Sequence, residues 1–303
     1  MTTLALLTSN NEAYQHLMAQ TSLPGLTLEN DPANAEIWLA DPDQAAKALQ
    51  HCPAPTWLAS TFVGVNPLLS PGLPSGYPLT HIKGIFGPLM AEYVVGHLLS
   101  LYRDLPRLRV QQQQQEWKPF GYTSLRHQTM LILGTGDIGQ EVARVATALG
   151  MNTLGVSRSG AAAAHFDQVY PVSRLHQALG QAQVVVGVLP DTPDTRGLID
   201  ESALTQLPAG AILINVGRGT LIKDDALLNA LGSGRVSHAV LDVFQQEPLP
   251  RAHPFWHHPR VTLTPHVAAT SFPEQVWQQF TDNLSRFQRG APLAHLFDWS
   301  KGY

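Results

Sequence analysis

The chain has 303 residues, about twice a typical single domain, so two domains are expected. With 44% hydrophobic and 14% charged residues it is not the composition of a disordered chain, and 19 Lys and Arg against 23 Asp and Glu leave a net charge of −4 that argues against nucleic acid as a partner. The one cysteine, Cys52, excludes an intrachain disulfide and a cysteine-based metal cluster and fits a reducing compartment.

Residues 1–10 carry no Lys or Arg ahead of the short apolar run at 4–7, and no apolar run approaches the ~18 residues that span a bilayer. The expectation is a cytoplasmic protein with no membrane contact. Further apolar runs at 37–40 and 57–59, separated by Pro-containing turns such as Asp41-Pro42, predict a small α/β unit over the first 85 residues. From Gly87 to Leu105 apolar residues return at helical spacing, predicting a long helix between two domains that ends or kinks at Pro106. The glutamines 111–115 read as a solvated helix face.

Beyond Trp117, apolar strands alternate with helical stretches: 129–133, 152–156, 184–189, 211–215, 238–242 and 261–264. This alternation predicts a parallel sheet with helices on both faces, followed by a final helix over 273–289.

The first of those strands runs into Gly134-Thr135-Gly136-Asp137-Ile138-Gly139 and then a helix. A GxGxxG set between strand and helix is a dinucleotide fingerprint. Gly134 allows the tight turn, Gly136 lets a pyrophosphate approach the backbone, and Gly139 lets the helix pack on the strand, while the helix N-terminus offers its N–H groups to the phosphates. The second strand ends in Ser157-Arg158-Ser159, where an NAD-preferring site would carry a carboxylate for the ribose hydroxyl. Arg158 and two hydroxyls suit a 2′-phosphate instead, so NADP(H) is the expected cofactor, with NAD(H) possible.

Open α/β sheets bind ligands just beyond the carboxyl ends of their strands, so a reactive side chain at such a position is a candidate site residue. Arg218 comes after one strand, Glu247 after the next and His266 after the third, on the edge that carries the glycine loop. A guanidinium holds a substrate carboxylate by a bidentate fork. An imidazolium gives its proton to a carbonyl oxygen as hydride arrives, and a neighbouring carboxylate orients the ring and raises its pKa.

These motifs, together with Leu189-Pro190-Asp191-Thr192-Pro193-Asp194-Thr195, Leu241-Asp242-Val243-Phe244 and Thr264-Pro265-His266-Val267, make the chain similar to the D-isomer-specific 2-hydroxyacid dehydrogenases. Within that family it resembles the glyoxylate and hydroxypyruvate reductases. The resemblance implies that Arg218 binds the substrate carboxylate, that His266 is the acid/base and that Glu247 is its partner. It further implies that Leu189, Pro190, Thr195 and Val216 line the cofactor, that Asp242 lies near the nicotinamide carboxamide, and that no metal takes part. The first-domain loop Ser60-Thr61-Phe62-Val63-Gly64-Val65-Asn66 matches one that cradles the substrate carboxylate, with Val63 and Gly64 as donors. Phe62 stands where many relatives have Gly and reads as a wall of the mouth or as a core residue behind it. Trp256 reads equally as a lining or a packing residue.

The implied architecture is a Rossmann-type doubly wound parallel sheet over residues 99–269 and a smaller discontinuous flavodoxin-like α/β substrate domain over 1–98 and 270–303. The implied assembly is a homodimer around the helix at Met90 to Tyr93. The implied reaction is reduction of small 2-oxo acids, glyoxylate to glycolate and hydroxypyruvate to D-glycerate. The alternatives are a D-2-hydroxyacid dehydrogenase for larger 2-oxo acids and a non-catalytic dinucleotide sensor of the same fold.

Overall fold

The computed structural model describes residues 1–300 and 302. Among these the chain divides into two compact units, Met1–Ile85 with the segment from Ser271 onward, and Phe86–Thr270. The expected divisions at 98/99 and 269/270 thus stand against observed ones at 85/86 and 270/271. The helix expected to end the first domain belongs wholly to the second unit, because its buried residues Ala91, Val94 and Leu98 join that unit's core.

In the first unit β1 (Thr2–Leu7), α1 (Asn11–Gln20), β2 (Leu26–Leu28), β3 (Ile37–Ala40), α2 (Pro42–Ala48), β4 (Trp57–Ser60) and β5 (Leu79–Thr80) succeed one another along the chain. The strands form a parallel sheet in the order β2-β1-β3-β4-β5. Every residue of β3 and β4 is buried, as strands covered on both faces require. The segment from Ser271 completes this unit: Trp57 stacks on Phe280 at 5.3 Å between ring centroids, and the Phe297 N–H donates to the Leu79 carbonyl.

The second unit opens with α3 (Phe86–Tyr102) and α4 (Leu105–Gln113). The helical run breaks after Tyr102, the residue whose carbonyl Pro106 has no N–H to bond, so the expected interruption is found just ahead of the proline. Pro106 itself occupies the first turn of the next helix, where its missing N–H costs nothing. The glutamine tract is solvated apart from Gln111, which is buried. Then come β6 (Thr129–Leu133), α5 (Asp137–Ala148), β7 (Asn152–Ser157), β8 (Gln168–Pro171), α6 (Leu175–Leu179), β9 (Val184–Gly187), α7 (Glu201–Thr205), β10 (Ala211–Asn215), α8 (Asp224–Gly232), β11 (Val236–Leu241) and β12 (Val261–Leu263). All seven strands are parallel, in the order β12-β11-β10-β9-β6-β7-β8, and two apolar clusters fill the two faces of the sheet. The strand order reverses between β6 and β9, so the loops after these two strands meet at the switch point where such sheets bind ligands. The final helix, α9 (Pro273–Gln288), returns to the first unit. Among the described residues no helix is long and apolar enough to cross a membrane.

Candidate active site

The glycine loop sits at the switch point. Gly134 has φ +113°, a conformation that L side chains rarely adopt, and its N–H donates to the Val156 carbonyl of β7. A Cβ on Gly139 would lie 2.0 Å from the Gly134 carbonyl oxygen, so only glycine lets α5 begin there. A Cβ on Gly136 would meet nothing within 4 Å, which leaves that crest open to a ligand. Asp137 and Ile138 form the first turn of α5, whose N–H groups carry the positive end of the helix dipole. The donor set and the open backbone fit a dinucleotide pyrophosphate.

After β7 the Ser157 hydroxyl accepts from the Gly160 N–H and the Ser159 hydroxyl from the Ala161 N–H, shaping a tight turn with Arg158 exposed on it. No carboxylate lies within that strand or turn. After β9, Leu189 and Pro190 lead into a loop closed by Thr195, whose hydroxyl donates to the Pro190 carbonyl at 2.6 Å. Asp191 in this loop pairs with Arg196 at 2.7 Å and accepts from the Thr220 hydroxyl, which ties the loop to the turn that bears Arg218.

That turn is built by a residue to which the sequence assigned no role. Asn215, buried at the end of β10, accepts from the Gly217 N–H and donates its side-chain amide to the Arg218 carbonyl. Val216 points into the core at 3% exposure. Gly219 lies so close to Phe244 that a Cβ would sit 1.9 Å from its carbonyl carbon, so the Arg218 turn and the loop carrying Glu247 are pressed together. The Arg218 guanidinium donates to the Gly217 carbonyl; burial lowers its pKa, while Glu247 and Asp191 act to keep it charged.

The Glu247 carboxylate accepts the Phe244 N–H on one oxygen and pairs with His266 Nδ1 at 2.7 Å on the other. Nδ1 therefore carries a proton, and Nε2 is the nitrogen left to exchange one. The bond to Glu247 raises the His266 pKa against the opposing effect of burial. Burial pushes the Glu247 carboxyl up, yet the His266 bond, the Phe244 N–H and the nearby cations outweigh it and hold the carboxyl below its ordinary range.

His266 has φ +54°, a left-handed conformation for a non-glycine residue. Asp242 holds it there. The aspartate is 1% exposed; its backbone carbonyl accepts the His266 N–H, and its carboxylate accepts the Val267 N–H at 2.8 Å, the Ala268 N–H at 2.9 Å and the Thr264 hydroxyl at 2.6 Å. Since the one hydrogen of Thr264 goes to Asp242, the Tyr93 hydroxyl donates to Thr264, 2.5 Å away. Sequence reasoning misses Thr264 and Tyr93, because a strand-end threonine and a helical tyrosine carry no local signal.

In the first unit, Phe62 is 38% exposed and Val63 37%, so Phe62 is not a core residue behind its loop. The Thr61 hydroxyl donates to Asp41, and the Thr61 carbonyl accepts from the Ser271 hydroxyl. Neither the Val63 nor the Gly64 N–H has a partner among the described residues. Trp256 is 49% exposed and its indole N–H donates to the Pro250 carbonyl.

Fold and site together describe a dinucleotide-binding oxidoreductase, and comparison with known proteins gives its family. Residues 95–268 match the family model for the D-isomer specific 2-hydroxyacid dehydrogenase NAD binding domain. The chain belongs to this family and is an NAD(P)H-dependent oxidoreductase. It is 35% identical to glyoxylate/hydroxypyruvate reductase A of Serratia proteamaculans, over 94% of this chain and 96% of that protein. Its fold matches the crystal structure of a D-isomer specific 2-hydroxyacid dehydrogenase family protein from Aeromonas salmonicida, with TM-score 0.93, 45% identity, and 98% of this chain and 99% of that one covered. It also matches the NADPH-dependent glyoxylate/hydroxypyruvate reductase of Sinorhizobium meliloti in complex with NADP and sulfate, with TM-score 0.88, 28% identity and full coverage of both chains.

Proposed function

We propose that this protein is an NADPH-dependent reductase of small 2-oxo acids, glyoxylate and hydroxypyruvate foremost, giving the D-hydroxy acid where a stereocentre forms. The observation that carries the reading is the His266–Glu247 pair, 2.7 Å apart, beside Arg218 on the sheet edge that bears the glycine loop.

NADPH supplies the hydride for the carbonyl carbon when it is bound. Gly134, Gly136, Asp137, Ile138 and Gly139 hold its pyrophosphate, and Ser157, Arg158 and Ser159 its 2′-phosphate. Leu189, Pro190 and Thr195 flank it, with Asp242 beneath the His266 turn, while Val216, expected beside the cofactor, packs in the core instead. The NADP-containing relative supports this choice, as does a β7 turn without a carboxylate. Arg218 grips the substrate carboxylate by its fork, Val63 and Gly64 N–H groups donate to it, and His266 Nε2–H protonates the carbonyl oxygen. Glu247 keeps the ring aligned and charged for that transfer.

On this reading the first unit is the substrate domain and the second the dinucleotide domain, and the enzyme works in the cytoplasm. A second copy is proposed to cover the apolar surface of α3, α4 and the following arm, where Leu99, Leu105, Leu108 and Val110 are exposed and Trp117 is 97% exposed.

Initial rates for a panel of 2-oxo acids with NADPH and with NADH test the proposal. Glyoxylate and hydroxypyruvate with NADPH should give the highest kcat/KM. A clear preference for larger acids would move the assignment to the broader dehydrogenases, with Phe62 and Trp256 as the walls to vary. Cofactor binding without turnover of any 2-oxo acid would leave a sensor.

A further inference from the structure

The loop carrying Val63 and Gly64 owes its shape to a residue outside it. In a trans peptide the carbonyl of one residue and the N–H of the next point in opposite directions. Whatever clamps the Phe62 and Val63 carbonyls therefore aims the Val63 and Gly64 N–H groups.

Both carbonyls are clamped from the same side. The Phe62 carbonyl accepts the Ser60 hydroxyl at 2.9 Å and the Ile82 N–H at 3.4 Å. The Val63 carbonyl accepts Nδ1 of His81 at 3.3 Å. A carbonyl only accepts, so His81 carries its hydrogen on Nδ1. The Val63 and Gly64 N–H groups then point away from the segment at 80–82. Neither has a partner among the described residues.

His81 is itself held in place. Its N–H donates to the His295 carbonyl, Thr80 bridges Leu296, and its ring meets the Phe297 ring edge-on at 89° and 6.3 Å between centroids. Burial lowers its pKa, the Val63 bond opposes that, and His295 and Lys83 add to the lowering, which favours the neutral ring. The neutral form with hydrogen on Nδ1 is the one that donates to a carbonyl while adding no charge near the loop.

We infer that His81 is a positioning residue for anion binding: through the Val63 carbonyl it turns the Gly64 N–H, with that of Val63, outward as a two-donor cradle for the substrate carboxylate. The identity of that anion rests on the function proposed above. The cradle itself rests on the peptide geometry.

The test compares the whole enzyme with His81→Phe and His81→Leu, which remove the Nδ1–H, and with His81→Asn, whose side-chain N–H reaches a similar position. His81→Phe keeps an aromatic ring against Phe297, and His81→Leu is the substitute if that ring overpacks. Losing the donor should raise KM for the 2-oxo acid roughly 3- to 10-fold while leaving KM for NADPH unchanged and kcat within about 2-fold. His81→Asn should restore most of the loss. Oxalate binding measured by calorimetry is the readout that does not depend on turnover, and its affinity should fall by the same factor. A parent that binds oxalate but reduces no 2-oxo acid would refute the proposed reaction and leave the cradle standing. Unchanged KM and oxalate affinity in the Phe and Leu variants would overturn the inference. So would parallel loss of stability, NADPH affinity and kcat that Asn does not rescue.

Discussion

Asp242→Asn is the substitution whose consequence is most directly set by the site. It keeps the size of the side chain and exchanges one acceptor oxygen for an NH2 donor. Either orientation of the amide brings that NH2 against a backbone N–H, that of Val267 or that of Ala268, at a position 1% exposed to solvent. A buried N–H left without an acceptor costs about 1–3 kcal/mol. With the NH2 in place of the oxygen that faces Ala268, the less costly orientation because the other oxygen accepts from both Val267 and Thr264, the two surviving bonds change from charge-assisted to neutral and lose about 1 kcal/mol each. The sum is about 3–5 kcal/mol. For a unit of this size that lowers Tm by roughly 6–20 °C. His266, whose φ of +54° this network maintains, is then free to leave its alignment with Glu247, and kcat should fall at least 10-fold even where the protein is fully folded. Thermal unfolding followed by circular dichroism and NADPH oxidation at a temperature well below both transitions measure the two effects. An Asn variant within about 1 kcal/mol of the parent, with parental kcat, would show that the Asp242 charge does not hold the catalytic turn.

On the proposed mechanism, the His266–Glu247 pair makes reduction depend on pH with a definite sign. His266 must start protonated and its pKa lies above the ordinary 6.5, so kcat should decline as pH rises through that raised value, and Glu247→Gln should move this alkaline limb to lower pH in a rate profile taken at saturating NADPH. The same shifts act on stability: the raised His266 contributes fully below 6.5 and loses its contribution as pH rises through the folded value, whereas the lowered Glu247 contributes above 4.5 and loses it as pH falls through its folded value. Arg218→Lys keeps the charge without the fork and should lose roughly 30-fold or more in kcat/KM; a near-parental value would place the carboxylate elsewhere. Exchanging Ser157→Asp together with Arg158→Ala should shift the kcat/KM ratio toward NADH, and an unmoved ratio would remove the β7 turn from cofactor selection. Tyr77→Phe removes a buried hydroxyl that has no hydrogen-bond partner among the described residues, so denaturant unfolding should find it neutral or stabilised by up to about 1 kcal/mol; a loss above that would mean the hydroxyl is satisfied in solution.

The parts of the molecule that are legible in the sequence are those whose signal is local. Strands buried on both faces, such as Ile37–Ala40 and Ala211–Asn215, are continuous apolar runs bounded by turn residues. The glycine loop announces itself because Gly134 and Gly139 answer to backbone conformation and close approach within six residues. Arg218, Glu247 and His266 stand out by their place just past the ends of strands, a matter of topology more than of composition. Edge strands are lost. Gln168–Pro171 is only four residues long with Tyr170 alone buried, and Leu79–Thr80 is a strand because Leu58 and Ala59 pair with it. The supporting residues are lost for the same reason at longer range. Tyr93 reaches Thr264 across 171 positions, and His81 reaches Val63 across 18, so neither has a neighbour in sequence that betrays its use. The tract at 111–115 shows the converse: its composition is conspicuous, yet a single turn of packing buries Gln111 and leaves the rest in water.

The return of the chain to its first unit has a consequence for biosynthesis. Translation delivers all of Phe86–Thr270 before Ser271, so the second unit has its complete sheet while the first still lacks α9 and the segment that bridges Thr80. Until then Trp57, which will be fully buried, has neither Phe280 nor Phe287 against it, and the β5 edge has no partner beyond β4. The nascent chain therefore presents an aromatic surface and an open strand edge throughout synthesis of its larger half. The ribosome-bound stage is where this fold is most exposed to misassociation and most in need of chaperone cover.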